Sequence, residues 1–319
     1  MPKSKLKKPG TNEGKPPPAS PAPIPDSIRE TLNLREEKDE LLTALARDEG
    51  VILISAVAPY RSIRVSPADE VQASIGFHEE FAFEAVIDEI QNRGLSDKKV
   101  ILLLNTFGGL LQSSFKVARA LRTSFKEIEV YVPHIAASGG TLIAVTADRI
   151  VMGSMSQLSP LDPQVYYDGR MMSALNGRAA YNRLCEAFSQ KTREEAPYPQ
   201  QALADKLDPL LMEDWNAAIE TALEYATKIL RLAKYGDAAP QIAHQLVYHF
   251  TEHSADIDYD MAKELGLRVE KYDASPKTRM IWRHFRRWLG MFLPEASGTH
   301  VVRYVLPLEK EKNGTGKAS

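Results

Sequence analysis

The sequence has a single cysteine, Cys185, in 319 residues. That excludes an internal disulfide and a cysteine-built zinc site. The thiol stands in "YNRLCEAF" at helical spacing, which reads as a buried structural cysteine in a reducing, cytoplasmic compartment. No run approaches the roughly 18 apolar residues that a membrane-spanning helix needs. The N-terminal lysines have no apolar stretch behind them, so a secretory signal is not expected. Acidic and basic residues nearly cancel, 42 against 40, so no bulk charge points to nucleic acid or an anionic membrane as partner. No G-x-G-x-x-G follows a strand, no H-E-x-x-H occurs and no carboxylates cluster, so neither cofactor nor metal is expected.

The opening, residues 1–26, is rich in lysine, proline and small residues and reads as a disordered tail. Residues 27–50, "SIRETLNLREEKDELLTALARDEG", read as one amphipathic helix closed by Gly50. From Val51 a strand, a glycine turn and a helix recur at even spacing, through "VILISAV", "KKVILLLN", "EIEVYVP" and "RIVMG". Strands alternating with helices predict βαβ units and an α/β fold with a parallel sheet. Short, continuously apolar runs suit strands covered on both faces. The region after Met171 reads as mostly helical, with a short helix stopped by Gly266 and a final small strand in "DYDMAKELGLRVEKY". Residues 273–319 form a basic and aromatic extension, in which "RMIWRHFRRWLGMFL" reads as a helix packed on the body; peripheral contact with a membrane is the competing reading.

Two glycine-rich turns, "NTFGG" and "AASGGT", follow strands and therefore fall at the carboxyl edge of the sheet, where ligands collect. They are expected to be neighbours. Ser138 stands between them and the helix "GTLIAVTAD". A serine in that place is a helix N-cap or a nucleophile, and both readings are open from the residues alone. Gly139 supplies an N–H at a helix N-terminus, and Gly108 and Gly109 let another backbone N–H approach without a Cβ in the way.

"LLLNTFGGLL", "HIAASGGTLIAVTADRIVMG" and "SQLSPLDPQV", in this order, resemble the ClpP/crotonase superfamily in its signal-peptide-peptidase-A-like branch. Within it the chain is similar to the serine dehydrogenase proteinase family, over roughly Val51 to Glu270. The resemblance implies a ClpP/crotonase-like fold of repeated ββα units with a helical C-terminal part, occupying residues 51–272. It also implies a serine endopeptidase that works through an acyl-enzyme. Ser138 is then the nucleophile, Gly109 and Gly139 are the oxyanion donors, and Gly108 shapes the turn. The family's turn has a proline where this chain has Phe107.

The base is less direct. ClpP-like relatives use a histidine, but "SPLDPQ" holds only Asp162, which reads as part of a loop lining the cleft. The signal-peptide-peptidase branch uses a lysine, whose pKa must be depressed for the task. Lys206 in "LADKLDPLL" is the favoured candidate and Lys191 in "FSQKTREEA" the alternative. His134, at a strand end, could line the cleft; His253 reads as structural or substrate-lining. The resemblance further implies a homo-oligomer and a peptide substrate that pairs with a strand beside the "TFGG" turn. Two other functions stay open: a crotonase-type acyl-CoA enzyme using the same oxyanion turns, and a catalytically silent oligomeric scaffold.

Overall fold

The computed structural model describes residues 34–64, 70–167, 169–189, 192, 194–205, 208–250, 255–296 and 298–307. The tail 1–26 lies outside them.

Seven strands form the main sheet: β1 (Arg35–Glu36), β2 (Ile52–Val57), β3 (Val100–Asn105), β4 (Ile128–Val132), β5 (Arg149–Met152), β6 (Val269–Lys271) and β7 (Val301–Val305). Their order is β1-β7-β2-β3-β4-β5-β6. Every neighbouring pair is parallel except β7 and β2. The strands β2, β3 and β4 are buried along their whole length, which is why they read as unbroken apolar runs. Alternate residues feed two cores. Ile52, Ile54, Leu102 and Leu104 face one side, while Leu53, Ile101, Leu103 and Tyr131 face the other.

The first side is covered by α2 (Phe77–Asn92), α3 (Leu111–Ser124), α4 (Gly139–Ala144), α5 (Ala174–Phe188), α7 (Pro209–Leu232) and α8 (Ala239–Tyr248), with the shorter α6 (Tyr198–Ala204) and α9 (Tyr259–Glu264) beside them. The second side is covered by α1 (Glu40–Glu49) and α10 (Pro276–Phe292). Helix α10 is the basic, aromatic segment. It turns Ile281, Trp282, Phe285, Trp288, Leu289 and Phe292 inward, so it packs on the body. A large side chain such as Trp288 contributes about 2–3 kcal/mol by leaving water. Arg149 ties β4, β5 and β6 together by bonding Glu129 and Glu270, at 2.6 and 2.7 Å.

Several expectations are corrected. The N-terminal helix starts at Glu40, because the Asp39 carboxylate caps it by accepting from Leu41 N–H and Leu42 N–H. Arg35 and Glu36 pair with β7 instead. The C-terminal segment adds a strand to the main sheet, antiparallel to β2. Residues Gln164–Tyr167 and Arg170–Ser173 form a hairpin where the sequence read as loop and helix. Cys185 is exposed. Helix α5 turns a different face inward, seating the bare Gly177 against the indole of Trp215.

Candidate active site

Both glycine turns leave the carboxyl edge of the sheet, and they touch. Thr106 N–H donates to Ile135 O at 2.9 Å, and Ala137 N–H donates to Thr106 O at 3.0 Å. A methyl group on Gly108 would lie 2.7 Å from Ala137 O and 3.0 Å from Ser138 Cβ, and Gly108 has φ +95. Only glycine fits that contact.

Ser138 is the residue before α4, yet its side chain caps nothing. Its backbone sits at φ 47, ψ −113, one of two non-glycine residues with positive φ among the described residues. Holding a serine there costs on the order of 1–3 kcal/mol. A network offsets that cost. Ser138 N–H donates to the buried Ser159 Oγ at 2.7 Å, and Ser159 N–H donates to Thr141 Oγ1 at 3.0 Å. Ser159 and Thr141 were not singled out in the sequence; "LSPLDP" drew attention only to its aspartate. The N-cap reading therefore fails, and the hydroxyl has no partner among the described residues.

Two backbone donors flank it. Neither Gly109 N–H nor Gly139 N–H has an acceptor among the described residues. Gly139 N lies 3.2 Å from the point where a Gly108 methyl would stand, and Gly109 N lies 3.5 Å from that of Gly139. The far edge of the turn is occupied. Ile75 N–H donates to Gly108 O and Leu110 N–H donates to Ile75 O, both at 2.8 Å. The chain itself thus fills one edge of the "TFGG" turn. The turn lacks the family's proline, but Gly108 N–H donates to Thr106 Oγ1 at 3.0 Å and restrains it.

A cleft of about 580 Å³ opens here, lined by Phe107, Gly109, Leu110, Ser138, Asp162 and Thr221 among others. Asp162 is buried; it accepts from Ser173 Oγ at 2.8 Å and from Gln164 Nε2 at 2.9 Å. It is the only ionisable side chain among the described lining residues. His134 does not line the cleft. Its Nδ1 is 2.6 Å from Tyr60 Oη, and Tyr60 in turn packs on Phe107 with ring centres 6.1 Å apart. Lys206, Lys191 and His253 lie outside the described residues.

Residues 82–278, more than half of the chain, match the family described as ClpP-like SDH-type serine proteinase. The chain belongs to that family. The chain is 28% identical over 244 residues to the uncharacterised protein MJ0137 of Methanocaldococcus jannaschii, covering 76% of this chain and 72% of that one. It is 26% identical over 236 residues to MJ1495 of the same organism, covering 74% and 68%. Among solved structures it is similar to a mutant of the 1510-N membrane-bound stomatin-specific protease, at 14% identity and a TM-score of 0.40, covering 62% of this chain and 74% of that one. No helix among the described residues is long and apolar enough to cross a membrane.

Behind the "TFGG" turn lies a buried ionisable pair missed in the sequence, Glu79 and His300. Burial alone would raise the Glu79 pKa, but hydrogen bonds from the side chains of His300 and His78 and from the His300 backbone hold the carboxyl well below the ordinary carboxylate range. A depressed native pKa means that the unfolded chain binds the proton more readily. The pair's stabilisation is therefore complete above the ordinary value of 4.5 and is lost as pH falls below it. Glu79→Gln is expected to be about 1–3 kcal/mol less stable at neutral pH and to show a flatter loss of stability between about pH 5 and pH 3. Urea denaturation across that range checks this; parallel curves for the two proteins would refute it.

Proposed function

We propose that this serine proteinase hydrolyses peptide bonds through an acyl-enzyme on Ser138. The strained Ser138, between two amides and with no partner for its hydroxyl or acceptor for theirs among the described residues, carries this reading. Strain of this kind persists where the surroundings impose it, and it concentrates at reacting groups. Ser138 Oγ attacks the scissile carbonyl carbon, and the carbonyl oxygen takes the electron pair while receiving Gly109 N–H and Gly139 N–H. Collapse expels the amine and leaves an ester on Ser138, which water hydrolyses. The oxygen is stabilised where its charge develops, and so the transition state gains more than the substrate.

The serine proton needs an acceptor, and Asp162 is already engaged by Ser173 and Gln164. The resemblance to the signal-peptide-peptidase branch implies a lysine in that role, with Lys206 favoured over Lys191. A neutral lysine takes the proton and returns it to the leaving amine. Asp208, the N-cap of α7, stands about 14 Å along that helix from the cleft-lining Ala217, at about 1.5 Å of rise per residue. In a homo-oligomer the base can come from its own subunit or from the neighbouring one. The substrate is a peptide, and the compartment is the cytoplasm.

A fluorophosphonate probe is expected to label Ser138, identified by mass spectrometry of the modified peptide. Lys206→Ala should slow that labelling by about 10²–10⁴-fold at neutral pH, with recovery as pH rises, while Lys191→Ala should not. The reverse pattern transfers the role to Lys191. Failure of the folded protein to be labelled at Ser138 refutes the peptidase reading. Acyl-CoA binding would then favour the crotonase-type alternative, and its absence the silent scaffold.

A further inference from the structure

We infer that His300 is a positioning residue for the oxyanion turn, acting through Thr106 and anchored by Glu79. The inference rests on the peptidase reading above.

The three side chains form one buried chain. Thr106, His300 and Glu79 are 0%, 1% and 2% exposed. Glu79 Oε1 lies 3.1 Å from His300 Nδ1 and accepts His300 N–H at 2.9 Å, while Glu79 Oε2 accepts Gly76 N–H at 2.8 Å. His300 Nε2 lies 2.7 Å from Thr106 Oγ1. Thr106 Oγ1 in turn accepts Gly108 N–H at 3.0 Å. Donor directions follow from chemistry. An ionised carboxylate only accepts, so Nδ1 carries a proton towards Glu79, and Nε2 and the Thr106 hydroxyl share the next hydrogen bond. The hydroxyl oxygen then turns its lone pairs to Gly108 N–H. Each bond fixes the next.

This chain ends at the peptide whose neighbour, Gly109 N–H, is the free donor. Fixing the Gly108 N–H against Thr106 sets the plane of the turn, and with it the direction of Gly109 N–H. Ile75 N–H holds the carbonyl side of that turn at Gly108 O, and Thr106 holds its amide side. The antiparallel course of β7 makes His300 available. Val301 pairs with Val57, the last residue of β2, so the start of β7 arrives at the carboxyl edge of the sheet. His300 and Glu79 both lie outside the segment 82–278 that matches the family.

A purely structural role would lower stability without touching turnover in the folded protein. Two variants separate the roles. Thr106→Val keeps the shape and removes the hydroxyl; His300→Asn keeps a donor for Glu79 and withdraws the group that meets Thr106. Both are expected to lower kcat about tenfold or more at a KM within about twofold of wild type. Thr106→Ser should restore most of the lost turnover. Amide hydrogen exchange at Gly108, whose N–H is held by Thr106 Oγ1, should speed in Thr106→Val and His300→Asn, a readout that needs no peptidase activity. Folded Thr106→Val and His300→Asn with wild-type exchange overturn the inference. Should the wild-type protein cleave no peptide, the peptidase reading falls and the exchange result alone decides the positioning.

Discussion

Ser138→Ala is expected to lower peptide cleavage by at least about three orders of magnitude and to leave the fold intact. The fold is spared because the Ser138 hydroxyl bonds no described residue, so its removal orphans nothing. Alanine must adopt the same φ of 47, so the strain is unchanged. Ser138→Gly is the informative companion. Glycine occupies that region freely, and the variant should be inactive yet more stable by about 1 kcal/mol. Cleavage of a casein or peptide substrate gives the first result, and thermal denaturation the second. Undiminished cleavage by Ser138→Ala would remove the nucleophile assignment. A glycine variant no more stable than wild type would show that the turn is not strained.

The parts legible in the sequence are those in which local pattern and long-range role coincide. The strands β2, β3 and β4 are buried on both faces, so their composition alone separates them from the helices between them. A parallel sheet sends successive βα turns to one edge, and that is why "NTFGG" and "AASGGT" could be placed side by side before any geometry was known. What stayed hidden depends on partners far along the chain. The strand β1 is two residues long and exists because β7 accepts it. His300 meets Thr106 across 194 positions, and no spacing within "SGTHVVRYV" announces that. Glu79 reads as an ordinary residue of a helical first turn, since helix periodicity does not say what covers the N-terminus. Cys185 shows the same limit, because helical spacing gives faces without saying which one is inward.

The second large effect is expected at Gly109. A methyl group on Gly109 would lie 2.3 Å from both Ile75 N and Ile75 O, and 2.7 Å from Ile75 Cα. These are backbone atoms held by two hydrogen bonds to the same turn, so no rotamer change relieves the clash. In Gly109→Ala the turn must swing away, and the free N–H swings with it. Loss of one oxyanion donor typically costs about 10²–10³-fold in kcat. Fluorophosphonate labelling of Ser138 should slow in parallel, since its adduct also places an oxygen against that donor. Gly139→Ala is the contrast. There the nearest atoms to the added methyl are Ser114 Oγ, at 2.1 Å, which can rotate away, and Ser114 Cβ, at 2.9 Å, which needs only a small shift of one side chain rather than of the turn. Its φ is not positive, and the N–H remains at the first turn of α4. Gly139→Ala should therefore lose less than Gly109→Ala, and adding Ser114→Gly should recover part of that loss. Equal losses in the two alanine variants would indicate that crowding, rather than donor displacement, governs the site. Wild-type turnover in Gly109→Ala would take Gly109 out of the mechanism.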